Sequence, residues 1–415
     1  MTRSQHGGGR TLRPEGAVTP SRRSLMIGSG TLPDTTEQAD LREMVREIIE
    51  RYAPPQRVRE LDDANAFDLE LYRALGDAGL IGLDAQADGT TGADPRLQII
   101  VLEELAAGPT SMAVCLVVQY MGVGLFTEYG TDQQRSTVLA PLLDGRERVA
   151  FALTEPDGGT DVARVMRTRA KQTDDGRWIL NGAKTWISGP QHARNLIVLA
   201  RTSTPESSPI DGISMFVVPT ETAGITVKEL DTFAIHSLDT CEITFDNVEV
   251  DAAAVLGHVD QGFRQVLGTL NGERLNAAAA ALGIARGALE AAVDYGQQRQ
   301  VFGRPVGSFQ AGQHRLVDGA IAIEAARALM LQAAEATATG KRADILSAMA
   351  KVAASDAAVA VTDAGMRLMG GSGFSKEYPM ERLFRDARLY TFAPLTNEML
   401  RNHIGEKHLG LPRSF

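Results

Sequence analysis

Eight consecutive residues, Thr154-Glu155-Pro156-Asp157-Gly158-Gly159-Thr160-Asp161, have the types and spacing most able to do chemistry in this chain. The glycines between Pro156 and Thr160 let the backbone approach a ligand closely and leave amide N–H groups to point at phosphate or ring acceptors, with two hydroxyls alongside. Such a loop is a cofactor cradle. Downstream, Asn181-Gly182 between the apolar-bearing runs Trp178–Leu180 and Lys184–Ile187 predicts a two-residue hairpin turn that returns Trp186 and Ser188 beside the cradle. Alternation places Trp186 and Ser188 on one strand face, where an indole and a hydroxyl would address one flat heteroaromatic ring; a flavin fits. Each motif alone also suits a sandwich strand with a buried Trp and a surface Ser, but the conjunction does not.

The elements that must position these groups fall into three sets. Helical periodicity covers Thr35 to Ala53, with Thr36 as cap and Pro54-Pro55 as stop, then Asp68 to Leu80, Leu97 to Ala107, Ser111 to Tyr129, and a helix capped by Thr131 running to Leu143. Gln119 and Tyr120 in this set suit either a pocket or the core edge. Near Val149 the period changes to 2. Short strands follow at Ala150–Leu153, Thr168–Gln172, Trp178–Leu180, Lys184–Ile187, Asn195–Ala200, Ile213–Val218, Ile225–Leu230 and Cys241–Val250, the last broken at Asp246-Asn247. Long helices resume at Phe263 to Arg299, Gln310 to Thr339 and Ala343 to Met369, with a shorter one before Phe415. Gly283 and Gly287, four apart in the first, predict a close helix crossing. The fold class is mainly α with a β domain: 34–148 helical, 149–255 a β-barrel or sandwich, 256–415 a four-helix bundle, and 1–33 a disordered tail poor in apolar surface.

Composition narrows the function further. A chain of 415 residues with 44% hydrophobic and 23% charged residues is globular and large enough for two or three domains. Its net charge of −10 and lack of a basic stripe argue against nucleic acid. The only cysteines, Cys115 and Cys241, have no metal-ligand spacing, so no metal site and a reducing, cytoplasmic compartment are expected. No apolar run approaches the roughly 20 residues of a membrane span, and Ser21-Arg22-Arg23-Ser24-Leu25-Met26, faintly like a twin-arginine signal, is read as part of the tail.

The cradle and strand end resemble the first signature of the acyl-CoA dehydrogenase family, in which T-E-P-x-x-G-[ST]-D and W-I-[ST] hold FAD. A second string, Gly370-Gly371-Ser372-Gly373-Phe374, Pro379, Glu381-Arg382 and Arg385-Asp386, is similar to the family's second signature; there the glycine loop serves the FAD site and the Glu, Arg and Asp form structural ion pairs. Locally those glycines also read as a helix C-cap. A third patch, Arg299-Gln300-Val301-Phe302-Gly303-Arg304-Pro305 with Gln310, resembles the segment that reaches the FAD of a neighbouring subunit, Arg on the pyrophosphate and Gln near the adenine. An Arg can grip phosphate bidentately, whereas Phe302 also suits a core. The order helical, β, helical matches the family across about residues 35 to 410. The resemblance implies FAD held by Phe151, Leu153, Thr154, Thr160, Trp186, Ser188, Arg299, Phe302, Gln310, Arg367, Gly370, Gly371, Thr396 and Glu398, in a homo-oligomer, tetramer or dimer, with shared sites. Departures are Arg367 where relatives often have Gln, Val301 for Thr, and Arg164 for a small residue.

Family members take the α-proton of an acyl thioester with a Glu while the β-hydride goes to flavin N5. Most carry that Glu in a Y-E-G-T segment, but the matching position here is Pro394. A minority, of isovaleryl and long-chain type, use an E-R-[LI] helix, and Gly272-Glu273-Arg274-Leu275 stands at the matching place. Glu273 is the implied base, with Arg274 and Pro394 in the substrate site. Its local sequence also fits an acidic residue in an exposed first helical turn, and Glu398 is the rival carboxylate. Proline has no N–H to donate to the thioester carbonyl, as the usual Glu does, and losing such a donor costs about 3 kcal/mol in barrier. The resemblance implies an acyl-CoA dehydrogenase of acyl-thioester metabolism that gives a 2-enoyl thioester and passes electrons to an electron-transfer flavoprotein. An acyl-carrier-protein-linked dehydrogenase of secondary metabolism and a flavin monooxygenase on the same fold are the alternatives; a catalytically silent cofactor-binding scaffold conflicts with the intact FAD motifs.

Overall fold

The computed structural model describes residues 34–83 and 94–414; the tail expected at 1–33 lies outside the described residues. Helix α1 (Thr36–Tyr52) is closed by a capping box in which Thr35, not Thr36, accepts from Gln38 N while Gln38 caps Thr35 N in return. Pro54-Pro55 is a junction rather than a stop, because Pro55 opens α2 (Pro55–Asp63), where a ring with no N–H costs nothing. Then come α3 (Leu69–Asp77), α4 (Pro95–Ala106) and α5 (Thr110–Tyr129), the first two capped by Asp68 and Asp94. Helix α6 (Asp132–Gln134), capped by Thr131 as expected, runs through a π-helical turn (Arg135–Leu139) into α7 (Ala140–Leu143).

Helix α5 is apolar on nearly every side because it is enclosed by protein. Contrary to the sequence expectation, α5 and the helix α11 (Asp344–Met369) are long and apolar enough to cross a membrane by length and composition alone; 72% and 56% of their apolar windows are buried inside the protein.

A short helix, α8 (Val162–Val165), follows β1 (Val149–Ala152). Strands β2 (Arg169–Gln172), β3 (Trp178–Ser188), β4 (Asn195–Arg201), β5 (Ile213–Pro219), β6 (Ile225–Glu229), β7 (Thr240–Val250) and β8 (Val255–Leu256) form one mixed sheet in the order β6-β7-β3-β2-β4-β5-β8, with β1 parallel to β4. Two expected breaks are absent. Asn181-Gly182 does not turn the chain: β3 runs straight through it with a register shift, and the hairpin bend lies at 173–177. Gly182 has φ 148° and a Cβ there would lie 2.5 Å from Thr168 Cα, so the glycine serves a bulge pressed against the segment that leads into β2. Asn181 accepts from Asn247 N at 2.9 Å, and Asn247, at φ 49°, kinks β7 without interrupting it.

The last third contains α9 (Gly262–Gln298), a two-stranded ribbon of β9 (Gln300–Val301) and β10 (Arg304–Pro305), α10 (Gln310–Ala338), α11, α12 (Gly371–Phe374), α13 (Met380–Asp386) and α14 (Asn397–Lys407). Helices α9, α10, α11 and α14 make the bundle, and α9 also packs on α4 and α5. The Gly283/Gly287 expectation holds: a Cβ at Gly283 would lie 2.3 Å from Glu103 O, and one at Gly287 2.4 Å from Ala107 O, both on the α4 side. Gly283→Val therefore forces α9 from α4 and is expected to destabilise the protein by about 1–3 kcal/mol, read as a lower Tm.

Beside that crossing lies a buried charge cluster with no signature in the linear sequence. Glu104 accepts from Arg46 and Arg286, each at 2.8 Å, and from Arg42 at 2.5 Å, while Arg327 meets Glu103. Burial alone would raise the Glu104 pKa; Arg286, Arg46 and Arg42 hold it down to about 2. Four helices, α1, α4, α9 and α10, are thereby tied at one point.

Candidate active site

The cradle's shape comes from a buried ion pair. Glu155, immersed between Thr154 and Pro156, accepts from Arg167 N at 2.6 Å, Thr168 N at 3.1 Å and Lys184 Nζ at 2.8 Å, and Lys184 also donates to Leu153 O at 2.9 Å. Burial pushes the Glu155 carboxyl up, but Lys184 and the two N–H groups hold it below its usual range; burial lowers Lys184 to about 8, so both stay charged at neutral pH. The loop closes on itself through Glu155 N to Gly158 O and Gly158 N to Glu155 O, both 3.0 Å. Its two glycines do different work. A Cβ at Gly158 would strike Val165 at 2.3 Å, whereas one at Gly159 would meet nothing within 4 Å, so Gly159 is the open approach.

Strand β3 is stitched to the cradle by Thr185 N donating to Thr154 O at 3.0 Å and by the Thr154 hydroxyl donating to Thr185 O. The next residue, Trp186, has φ 60° and is 64% exposed. That conformation is costly for an indole-bearing residue and interrupts simple alternation: Lys184 and Thr185 are both buried before Trp186 turns out. Phe151, Leu153 and Ser188 are half-buried, while Thr160 is exposed. Among the described residues the Thr160 and Ser188 hydroxyls have no partner. An open glycine, an outward indole held in strained backbone and two unengaged hydroxyls fit the ring and phosphates of FAD.

The second motif sits at the end of α11. Gly370, at φ 59°, and Gly371 are exposed with open space around them, and Ser372 meets Tyr295 of α9 at 3.1 Å, which brings the glycine loop beside the 299–305 ribbon. Arg367 pairs with Asp363 at 2.7 Å. The expected ion pairs form only in part: Arg385 binds Glu381 at 2.8 Å and Asp62 at 2.7 Å, but Asp386 accepts a backbone bond from Ile235 N and is pushed up to about 6 by burial, and Arg382 forms no ion pair among the described residues.

Arg299, Phe302 and Gln310 are exposed, and no hydrogen bond or ion pair among the described residues joins them to the cradle of the same chain. Phe302 is 96% exposed at φ 50°, which rules out the core role.

Glu273 lies well inside α9, about three turns from its start at Gly262. It is half-buried rather than part of an exposed first turn, and burial raises its carboxyl to about 7 against the opposing pull of Arg274 and the Thr269 hydroxyl. Arg274 reaches Asn271 at 3.5 Å and Asp344 O at 3.4 Å. Pro394 is exposed in the loop before α14, where Thr396 is the helix cap and Glu398 is exposed in the first turn. This loop is anchored from below by Lys351, fully buried on α11, which donates to Leu395 O at 2.9 Å and Asn397 Oδ1 at 2.8 Å. Gln119 and Tyr120 prove structural: Gln119 exchanges bonds with Val149 N and O at 3.0 and 3.2 Å, and Tyr120 donates to Leu80 O at 2.8 Å.

A helical, β, helical chain with a flavin cradle at its centre is a flavin oxidoreductase, and comparison with known proteins gives its family. Models of the N-terminal, middle and C-terminal domains of acyl-CoA dehydrogenase match residues 35–146, 150–248 and 260–409. The chain belongs to the acyl-CoA dehydrogenase family. It is 36% identical over 371 residues, 88% of this chain and 96% of the other, to the short-chain specific acyl-CoA dehydrogenase of Megasphaera elsdenii. A chain in the structure of the electron transferring flavoprotein of Acidaminococcus fermentans superposes with a TM-score of 0.83 at 34% identity, over 90% of this chain and 97% of that one. The glutaryl-CoA dehydrogenase of Mycobacterium smegmatis, solved with FADH2, does so with a TM-score of 0.85 at 28% identity, over 92% and 96%. Its cofactor is FAD.

Proposed function

We propose that this protein dehydrogenates a saturated acyl thioester to the 2-enoyl thioester with Glu273 as the base. The observation that carries the reading is a half-buried carboxylate on α9 whose proton affinity burial has raised to near neutrality, where a general base works best. FAD, when bound, supplies the acceptor for the β-hydride. Glu273 takes the α-proton at its carboxylate, and Arg274 beside it on α9 keeps that carboxylate partly ionised. Trp186 and Ser188 on β3 would hold the FAD ring system, and Thr160 and the Gly159 amide would hold its phosphates. Thr396, Glu398, Arg367 and the Gly370-Gly371 loop would contribute to a cofactor site, the last two from beside the 299–305 ribbon.

Exposure of Arg299, Phe302 and Gln310 away from their own cradle supports a homo-oligomer, tetramer or dimer, in which they serve a neighbour's FAD. The relatives' names support an acyl-CoA substrate and an electron-transfer flavoprotein as acceptor. Anaerobic addition of straight-chain, branched and aromatic acyl-CoAs to the yellow protein is expected to bleach the flavin with one class. If none of them bleaches it while acyl groups on a carrier protein do, the CoA assignment fails; NAD(P)H-dependent oxygen uptake instead would replace the dehydrogenase with a monooxygenase.

A further inference from the structure

Five arginines among the described residues are buried, and four have evident compensation. Arg286 and Arg327 meet glutamates, Arg201 donates to the carbonyls of Asp211, Ala163 and Pro209, and Arg382, which forms no ion pair among the described residues, has its charge opposed by the buried Asp386 carboxyl. Arg148 does not. It immediately precedes β1, is 7% exposed, and its guanidinium lies 3.7 Å from the Phe67 ring centroid and 5.2 Å from that of Tyr72. Nη2 donates to His192 O at 3.0 Å, Nη1 has no partner, and no carboxylate of the described residues comes within the 4.0 Å of an ion pair.

Arg148 lines a small pocket walled also by Cys115, Val118, Gln119, Val149, Ser188, Gly189 and Leu238. Nothing in that wall is anionic. The Gln119 amide is committed to β1, and burial pushes the Cys115 thiol up to about 11, so it stays neutral. Asp239 acts on that thiol from outside the wall; its Oδ2 accepts from Gln191 N, its buried Oδ1 has no partner, and it lies beyond ion-pair distance of Arg148. A desolvated cation of this kind is costly unless something negative benefits from it.

We infer that Arg148, facing Ser188 across this cavity, supplies a buried positive charge that favours the electron-rich reduced form of the bound flavin. The inference rests on the reading that Ser188 borders the flavin ring. Reduction adds negative charge to the ring system, and in a water-poor interior an uncompensated cation acts on such charge without direct contact. Arg148 is thus a tuning residue rather than a catalytic one, and the cation–π clasp of Phe67 and Tyr72 keeps its charge in place without neutralising it.

The test uses FAD-loaded protein and two readouts that need no turnover: the two-electron reduction potential by equilibration with dyes, and the Kd for sulfite, an anion that adds to oxidised flavin. In R148M the reduced-to-oxidised equilibrium is expected to fall about tenfold, a potential lower by about 30 mV, and sulfite to bind about tenfold more weakly. R148K should stay within about threefold of the parent. An R148M protein that holds FAD with unchanged potential and sulfite affinity overturns the inference, as does R148K matching R148M, which would make packing the cause. R148Q provides the same neutral side chain if the methionine variant does not retain FAD. S188A separates the two readings: a changed flavin spectrum there with an unaffected R148M sinks the Arg148 role alone, and no change in either sinks the placement of Ser188 as well.

Discussion

Glu273→Gln is expected to leave a yellow, folded protein that binds acyl-CoA and no longer bleaches with it, the rate of reduction falling by about 10² to 10⁴. Glutamine keeps the volume and the polar contacts but cannot accept the proton. Wild-type reduction should titrate with the carboxyl near 7, fast above it and declining about tenfold per pH unit below it, whereas the residual rate of the variant should be flat. Glu398→Gln is the control. If that substitution, and not the one at 273, removes bleaching, the base has been assigned to the wrong carboxylate.

The same shift has a stability consequence. The folded pKa of Glu273, about 7, stands above its unfolded value near 4.5, so the native state holds the extra proton between the two. The stability associated with the neutral carboxyl is complete below about pH 4.5 and is lost as pH rises through 7. Thermal melts should therefore find Glu273→Gln more stable than the parent at pH 8, with the gap closing toward pH 4. A site that costs stability in its working ionisation state is the signature of function rather than of packing.

Lys184→Met is the second large effect. It leaves the Glu155 carboxylate buried with two backbone donors and no cation, for a loss of about 3–5 kcal/mol of the kind seen when one partner of a buried pair is removed. Because the same Lys holds Leu153 O, the cradle and the β3 end should loosen together, and FAD retention on gel filtration should drop with Tm. The double substitution Lys184→Met with Glu155→Leu should recover much of the Tm without recovering FAD binding. Full cofactor retention in Lys184→Met alone would show that the pair does not shape the cradle.

Much of this site was legible because its chemistry is local. A Gly-bearing loop and a glycine string after a long helix need only short-range geometry, so Thr154 to Asp161 and Gly370-Gly371 could be named from the chain; Trp186 and Ser188 were named too, but the Asn181-Gly182 turn and the alternation argued for them are not what places them. Family resemblance supplied Glu273 and the absence of the usual Glu at Pro394. Several helix ends followed from caps and glycines, but the first cap is Thr35 rather than Thr36, and Pro55 is as good an opening residue as a stop.

The readings that failed are those where a local signal has two tertiary uses. Asn181-Gly182 is a strong turn pair, but the sheet uses its glycine to let Thr168 approach, and only the partner strand decides which. Phe302 is apolar enough for a core, yet the ribbon between β9 and β10 holds it in water. Charge pairing is wholly tertiary: Glu155 with Lys184, Glu104 with three arginines, and Arg148 with none depend on residues 29 or more positions apart or on a partner's absence. The sequence by itself determined the order of elements and the candidate cofactor loop, because periodicity and residue type act over a few bonds, while the candidate base came from the family resemblance. Only the fold decided burial, and with it the pKa of Glu273, the shape of the cradle and the exposure of Arg299, Phe302 and Gln310, because desolvation is set by everything packed around a group rather than by its neighbours in the chain.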